Sequence, residues 1–469
     1  MDEINKLSKI ECSIVRLISD NQKLLTTDES ISIRWALSLA RITKIKLANT
    51  DSLTIGHALE AYRKRLCEIL EENQNITNID LLKLKTVLPT INKLTKDTRK
   101  DLLSLFSSKL SPEELDNAIR SRPLALALGG GGGTCYVFIG AFIALEENNI
   151  IPNIMAASSM GAILGAYRAQ NKHFSFDGLQ YLIKHVSWSM IAKSYSGTSK
   201  FGVPATFRLY LREAIGESFK KGQEFFRIKD LTIPLRVCVA GLSNAGLGKE
   251  QEDLNKYSDL LAGSKGDPYD INVRNSSIIN QILSFAQKPL KPIYLGASKL
   301  SKEFDVIDAI GFSSAIPGVF HYDVLRDDPR MISLLQTLFE EEKVFRLIDG
   351  GFADNLPSQQ ALQGVIDGEC DGYDPFVLAF DSFIPSMNKN LLFYPIMRFA
   401  YENSKEGHEA AHLLIKFKNV LSPLNFVPSE DIFNKAIEYG HKEILPHMNF
   451  IKNMVKEIPY PSWINKKNN

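Results

Sequence analysis

The stretch Ile154-Met155-Ala156-Ala157-Ser158-Ser159-Met160-Gly161-Ala162-Ile163-Leu164-Gly165-Ala166 leaves this chain few ways to fold. Its apolar first half suits a buried strand, and the run of small residues after Ser159 suits a helix packed closely on it. A serine at such a turn has the layout of a nucleophile elbow, where a strained backbone lifts Oγ clear of the sheet at the positive end of the helix. The positions two before and two after the serine lie where strand and helix approach most closely, and they hold Ala157 and Gly161. Ala157 departs from G-x-S-x-G by one methyl. The motif alone also allows a buried turn with an inert hydroxyl.

About thirty residues earlier, Leu124-Ala125-Leu126-Ala127-Leu128 runs into five glycines, Gly129 to Gly133. Glycines let the backbone approach a ligand and turn successive N–H groups toward one anion, and the helix expected from near Tyr136 reinforces that polarity. A nucleotide loop is disfavoured, because no Lys-Ser/Thr pair follows the glycines and Thr134 and Cys135 spoil a G-x-G-x-x-G register. Far downstream, Phe345-Arg346-Leu347-Ile348-Asp349-Gly350-Gly351-Phe352-Ala353-Asp354-Asn355 reads as a strand with Asp349 at its tip.

Together these pieces resemble the patatin-like phospholipase family, with its glycine-rich oxyanion loop, serine elbow and Asp-Gly-Gly. Asp230-Leu231-Thr232-Ile233-Pro234-Leu235-Arg236-Val237 and Ser313-Ser314-Ala315-Ile316-Pro317-Gly318-Val319-Phe320 also look like that family, so the resemblance runs from roughly Leu124 to Gly364. It implies Ser159 as nucleophile, Asp349 as base and the Gly131 and Gly132 amides as oxyanion donors. Gly130, Gly133, Gly161, Gly350 and Gly351 would support them. Where the family has a basic residue and then glycine after its glycine run, this chain has Thr134 and Cys135.

The 55 basic and 54 acidic residues nearly cancel, so no global field points to nucleic acid, and 44% apolar residues support substantial cores. Five cysteines without metal spacing (Cys12, Cys67, Cys135, Cys238, Cys370) suit reduced thiols better than a disulfide framework. The N-terminus shows no Sec-type signal, which points to a cytoplasmic protein or one secreted by another route. Leu124 to Leu145 is uncharged, but its central glycines favour strand-loop-helix over a membrane span.

Periodicity divides the chain into a helical region over 1–121, an α/β catalytic domain over 122–384 with an insertion at about 244–290, and a helical region over 385–469. The expected core is a three-layer α/β/α fold with a mostly parallel sheet. Trp35, Leu39, Ile42 and Ile45 approximate one helical stripe, Ser111-Pro112-Glu113-Glu114 is a capping box, and Ser429 caps a helix through Ile437. Ile282 and Phe285 give the insertion an apolar face, readable either as a lid or as packing. The tail from Ile458 to Lys467 is expected to fray, with contact at a membrane interface as the alternative.

One rival motif is His408-Glu409-Ala410-Ala411-His412, an H-E-x-x-H in an expected helix, the zincin arrangement of a zinc metallopeptidase, with Glu430 or Glu438 as a third zinc ligand. Two prolines, Pro423 and Pro428, break the segment where a ligand-bearing helix should follow, and Ala410, Leu414 and Phe417 would form an inward face.

The expectation is therefore a metal-free, cofactor-free lipid acyl hydrolase of phospholipase A or lysophospholipase type. Its substrate is a phospholipid or other fatty-acyl ester, met by peripheral membrane contact, and an activating protein partner is left open. A core with helical extensions also resembles secreted patatin-like effectors of bacterial pathogens. The competing class is an inactive lipid- or partner-binding protein on the same fold. A free aspartate has a pKa of about 3.9, so a Ser-Asp dyad is expected to lack an ionisation near the free histidine value of about 6.5.

Overall fold

The computed structural model describes residues 2–20, 24–47, 52–73, 79–194, 199–243, 290–383 and 394–464. The expected insertion thus lies, apart from Leu290, outside the described residues. The chain forms two compact units. One comprises Met1–Ala125, Leu362–Phe376 and Pro446–Asn469, and the other Leu126–Ala361 and Val377–Leu445.

The first unit is mostly helical, with helices at Asp2–Ser19, Thr27–Arg41, Glu60–Asn73, Leu81–Leu105 and Pro112–Arg120. Thr26 and Ser111 each close a capping box, satisfying amide groups that the first helical turn leaves without partners. The stripe expected to run on to Ile45 stops early, because the helix ends at Arg41 and Ile45 enters the two-stranded ribbon Lys44–Lys46 with Ser52–Thr54. The tail does not fray along Ile458 to Trp463. Ile458 is buried, and the Tyr460 and Trp463 rings lie 5.7 and 6.2 Å from the ring of Trp35. Arg41 and Arg122 both bond to Glu11 and Asp374 in a buried ion network, which ties Asp374 into this unit.

The second unit is α/β around a seven-stranded sheet: β1 (Leu124–Leu128), β2 (Ile154–Ser158), β3 (Leu235–Ser243), β4 (Leu290–Leu295), β5 (Val344–Asp349), β6 (Phe376–Asp381) and β7 (Leu413–Lys416). Its order is β4-β3-β2-β1-β6-β7, with β5 also on β3. Strands β2 and β3 pair in parallel, as do β6 and β7, whereas β4 and β5 run antiparallel to β3. The strands β1 and β2 are buried at every position, which is why they read as unbroken apolar runs. Strand β7 falls where the sequence suggested helix.

Strand β3 is nine residues long and does the positioning. Because β4 occupies one edge of it from Val237 to Leu242, β2 and β5 must follow one another along the other edge. There Cys238 stands opposite Ser158, and the next residue, Val239, stands opposite Asp349. Two segments nearly two hundred residues apart in sequence are thereby brought tip to tip. Helix α1 (Val137–Glu147) follows the glycine run, and helix α2 (Ser159–Ala169) follows β2.

Candidate active site

Ser159 opens α2 with φ of 51°, a left-handed conformation rare for any residue with a side chain. The strain is tolerated because the surroundings leave no alternative: all eleven residues of α2 are buried, and a Cβ at Gly161 would lie 2.4 Å from the Gly129 carbonyl oxygen. The Ser159 N–H donates to Ser313 Oγ at 2.8 Å, and Ser313 Oγ in turn donates to the Cys238 carbonyl at 2.6 Å. The same strand β3 that aligns the two tips thus also fastens the turn.

From this turn Ser159 Oγ donates to Asp349 Oδ2 at 2.7 Å, with no imidazole between them. The other carboxylate oxygen, Oδ1, accepts the Gly351 N–H at 2.7 Å. Asp349 is 3% exposed, and burial pushes its carboxyl from 3.8 up to about 7, against the opposing hydrogen bonds from Ser159 and Gly351. A base titrating there is charged at mildly alkaline pH yet basic enough to take a proton. This corrects one expectation. A serine-carboxylate pair buried in this way would titrate close to histidine, so a pH profile alone would not separate it from a triad.

The glycine loop lies against the serine. Gly129, Gly130 and Gly133 donate their N–H groups to the carbonyls of Phe380, Asn355 and Pro423. The Gly131 and Gly132 amides between them have no acceptor among the described residues, and both glycines line the cavity that Ser159 and Asp349 face. Gly132 has φ of +57°, and a Cβ there would sit 2.2 Å from the Pro423 carbonyl oxygen, so a side chain is excluded twice over. The positive end of α2 points at the same space.

Thr134 is one of the two departures from the pattern that the glycine loop resembles. Its Oγ1 donates to the Gly131 carbonyl at 2.9 Å and shares a second 2.9 Å hydrogen bond with Ser382 Oγ. Cys135 Sγ points at the Gly129 carbonyl at 3.5 Å, and burial pushes its thiol up to about 12, so it acts as a neutral filler. The loop is therefore fastened by hydroxyls instead of by charge.

Sequence reasoning missed three contributors. Ser313 lies in a segment noted only for its likeness to the family. Asn355 accepts from Gly130 through its backbone and brings its amide to 3.4 Å from the Gly130 carbonyl. The strap Ser422–Phe426 closes over the loop, with Pro423 accepting from Gly133 and the Phe426 carbonyl from the Tyr136 hydroxyl. Its proline, Pro423, had signalled only a broken helix.

The geometry that the rival zinc reading requires is not formed. The motif's helix, α3 (Lys405–Ala410), ends before the second histidine, because the chain leaves it to form β7. The His412 backbone N–H donates to the Val377 carbonyl, and its Nδ1 accepts the Val377 N–H at 3.0 Å. His408 Nε2 lies 2.7 Å from Asp381 Oδ2. The two imidazoles thus do not share one helical face, and no group of three metal-ligating side chains occurs among the described residues.

A family model described as patatin-like phospholipase matches residues 126–362, which contain the glycine loop, Ser159 and Asp349. No curated protein matches the chain.

Proposed function

The chain belongs to the patatin-like phospholipase family, and from that premise we propose that this lipid acyl hydrolase works through Ser159 and Asp349 as a dyad. The observation that carries the reading is the 2.7 Å hydrogen bond from the strained Ser159 to a carboxylate held near neutrality. Asp349 takes the proton of Ser159 Oγ as the oxygen attacks the acyl carbonyl carbon, and the Gly131 and Gly132 N–H groups receive the oxyanion. Collapse expels the alcohol, which leaves with the proton from Asp349. Water then attacks the acyl-enzyme and passes a proton to Asp349, which returns it to Ser159 Oγ as the acyl–oxygen bond breaks and the fatty acid is released.

Peripheral contact with a lipid surface is part of this proposal. It is supported by Trp188 and Leu424, which line the cavities at Ser159 yet are 40% and 41% exposed. Among the described residues no helix is long and apolar enough to cross a membrane.

The test is labelling by a fluorophosphonate together with hydrolysis of phosphatidylcholine vesicles. Ser159→Ala should lose both, while glutamine at each of the eight histidines in turn, His408 and His412 included, should leave a measurable rate. A single histidine variant as inactive as Ser159→Ala would refute the dyad. Failure of the wild-type protein to label would favour a non-catalytic lipid-binding protein.

A further inference from the structure

Ser159 stands at the junction of two apolar cavities. The first, of about 670 Å³, is lined by Gly131, Gly132 and Asp349 and beyond them by Val319, Phe352 and Phe383. The second, of about 740 Å³, runs past Ser159 between Ile163, Leu179, Ile191 and Leu211. They share Ser159 and a wall of Ile316, Phe320 and Phe426. The wall is built from rings: Phe320 meets Phe426 edge-on at 5.3 Å, and Trp188 stacks on Phe426 at 5.7 Å. Asp349 is the one charged side chain lining either cavity among the described residues.

Resting on the dyad reading above, we infer that the two cavities divide a two-chain lipid: the second takes the acyl chain being cleaved, and the first takes an apolar chain carried by the leaving alcohol. The assignment follows from the proton. Asp349 must return it to the departing oxygen, so the alcohol leaves on the Asp349 side, into the first cavity. The acyl chain lies on the other side of the carbonyl carbon, toward the second. An alcohol without its own chain, as in a lysophospholipid, leaves the Val319, Phe352 and Phe383 surface uncovered and forgoes that burial. The wall therefore makes the enzyme selective for diacyl over monoacyl lipids.

Two measurements test this. In mixed micelles, the wild-type protein should show kcat/KM for dipalmitoyl phosphatidylcholine at least roughly 10-fold above that for palmitoyl lysophosphatidylcholine. Val319→Trp, which fills the first cavity from a half-buried position, should erase most of that preference. Ile191→Trp should instead shift acyl preference from palmitoyl toward octanoyl while keeping the diacyl preference. Equal rates on the two wild-type substrates, or equal effects of both variants on both substrates, would overturn the assignment. The second measurement needs no turnover. Ser159→Ala protein is titrated into phosphatidylcholine carrying pyrene on both chains, and the excimer-to-monomer ratio should fall as the wall parts the chains. An unchanged ratio on binding, or no binding, refutes the divided site. A falling ratio combined with a single histidine variant as inactive as Ser159→Ala refutes the dyad and leaves the divided site standing.

Discussion

Replacing Asp349 by asparagine should inactivate the protein and at the same time stabilise it, by an amount that depends on pH in a defined way. The carboxyl is buried and titrates at about 7 instead of 3.8, while asparagine is isosteric, can donate toward Ser159 Oγ and can still accept from Gly351. Since the folded pKa lies above the unfolded one, the folded protein binds more protons between those values, and stability is lost as pH rises through about 7. Each pH unit between them is worth about 1.4 kcal/mol, so a shift from 3.8 to about 7 corresponds to roughly 4 kcal/mol above pH 7. Asp349→Asn should therefore gain up to roughly 4 kcal/mol over wild type at pH 8, less at pH 6, and almost nothing at pH 4. Urea unfolding of both proteins at the three pH values, followed by tryptophan fluorescence, reads this directly. An equal stability difference at pH 8 and pH 4, or a destabilised variant at pH 8, would refute the claim that the carboxylate is held against its own solvation.

The same carboxyl should govern the rate: kcat/KM for a neutral soluble ester should rise with pH and level off above an apparent pKa of about 7 in wild type, and in every histidine variant alike. An inflection that stays near 4, or that disappears with one histidine, argues against Asp349 as base. Thr134→Val keeps the shape of the side chain but removes the hydroxyl that fastens the Gly131 carbonyl and Ser382. It should lower kcat about 10-fold with little change in KM, equivalent to about 1.4 kcal/mol of positioning. Recovery with serine but not with alanine at this position would separate that role from packing.

The three segments that meet at the candidate site were legible in the sequence because each is encoded locally. A strand that ends in Ser159, one that ends in glycines and one that ends in Asp349 each carry their own signal of apolar run followed by a turn. What could not be read was how the three ends meet. That depends on β3, whose Cys238 and Val239 face the two tips, and nothing in Leu235–Ser243 marks it as more than another buried strand. The strand β7 was missed for a related reason: Leu413-Leu414-Ile415-Lys416 follows a helix directly, and four residues are too few for alternation and helical period to be told apart. The pKa of Asp349 was out of reach altogether, since composition and motif say nothing about how completely a carboxyl is taken from water. The tail was misjudged because terminal position suggested fraying, whereas Ile458 and the rings of Tyr460 and Trp463 find the Trp35 surface.

The strap that lies over the glycine loop comes from Ser422–Phe426, sixty residues beyond the end of the stretch that matches the family at residue 362. Ser159, Asp349 and the loop glycines lie inside that stretch, while Phe426 lies outside it. One part of the wall between the two cavities is therefore written outside the stretch that identifies the family, while Ile316 and Phe320, its other parts, lie inside it. A change confined to the strap would reshape both cavities at Phe426 while leaving every residue of the matched stretch in place.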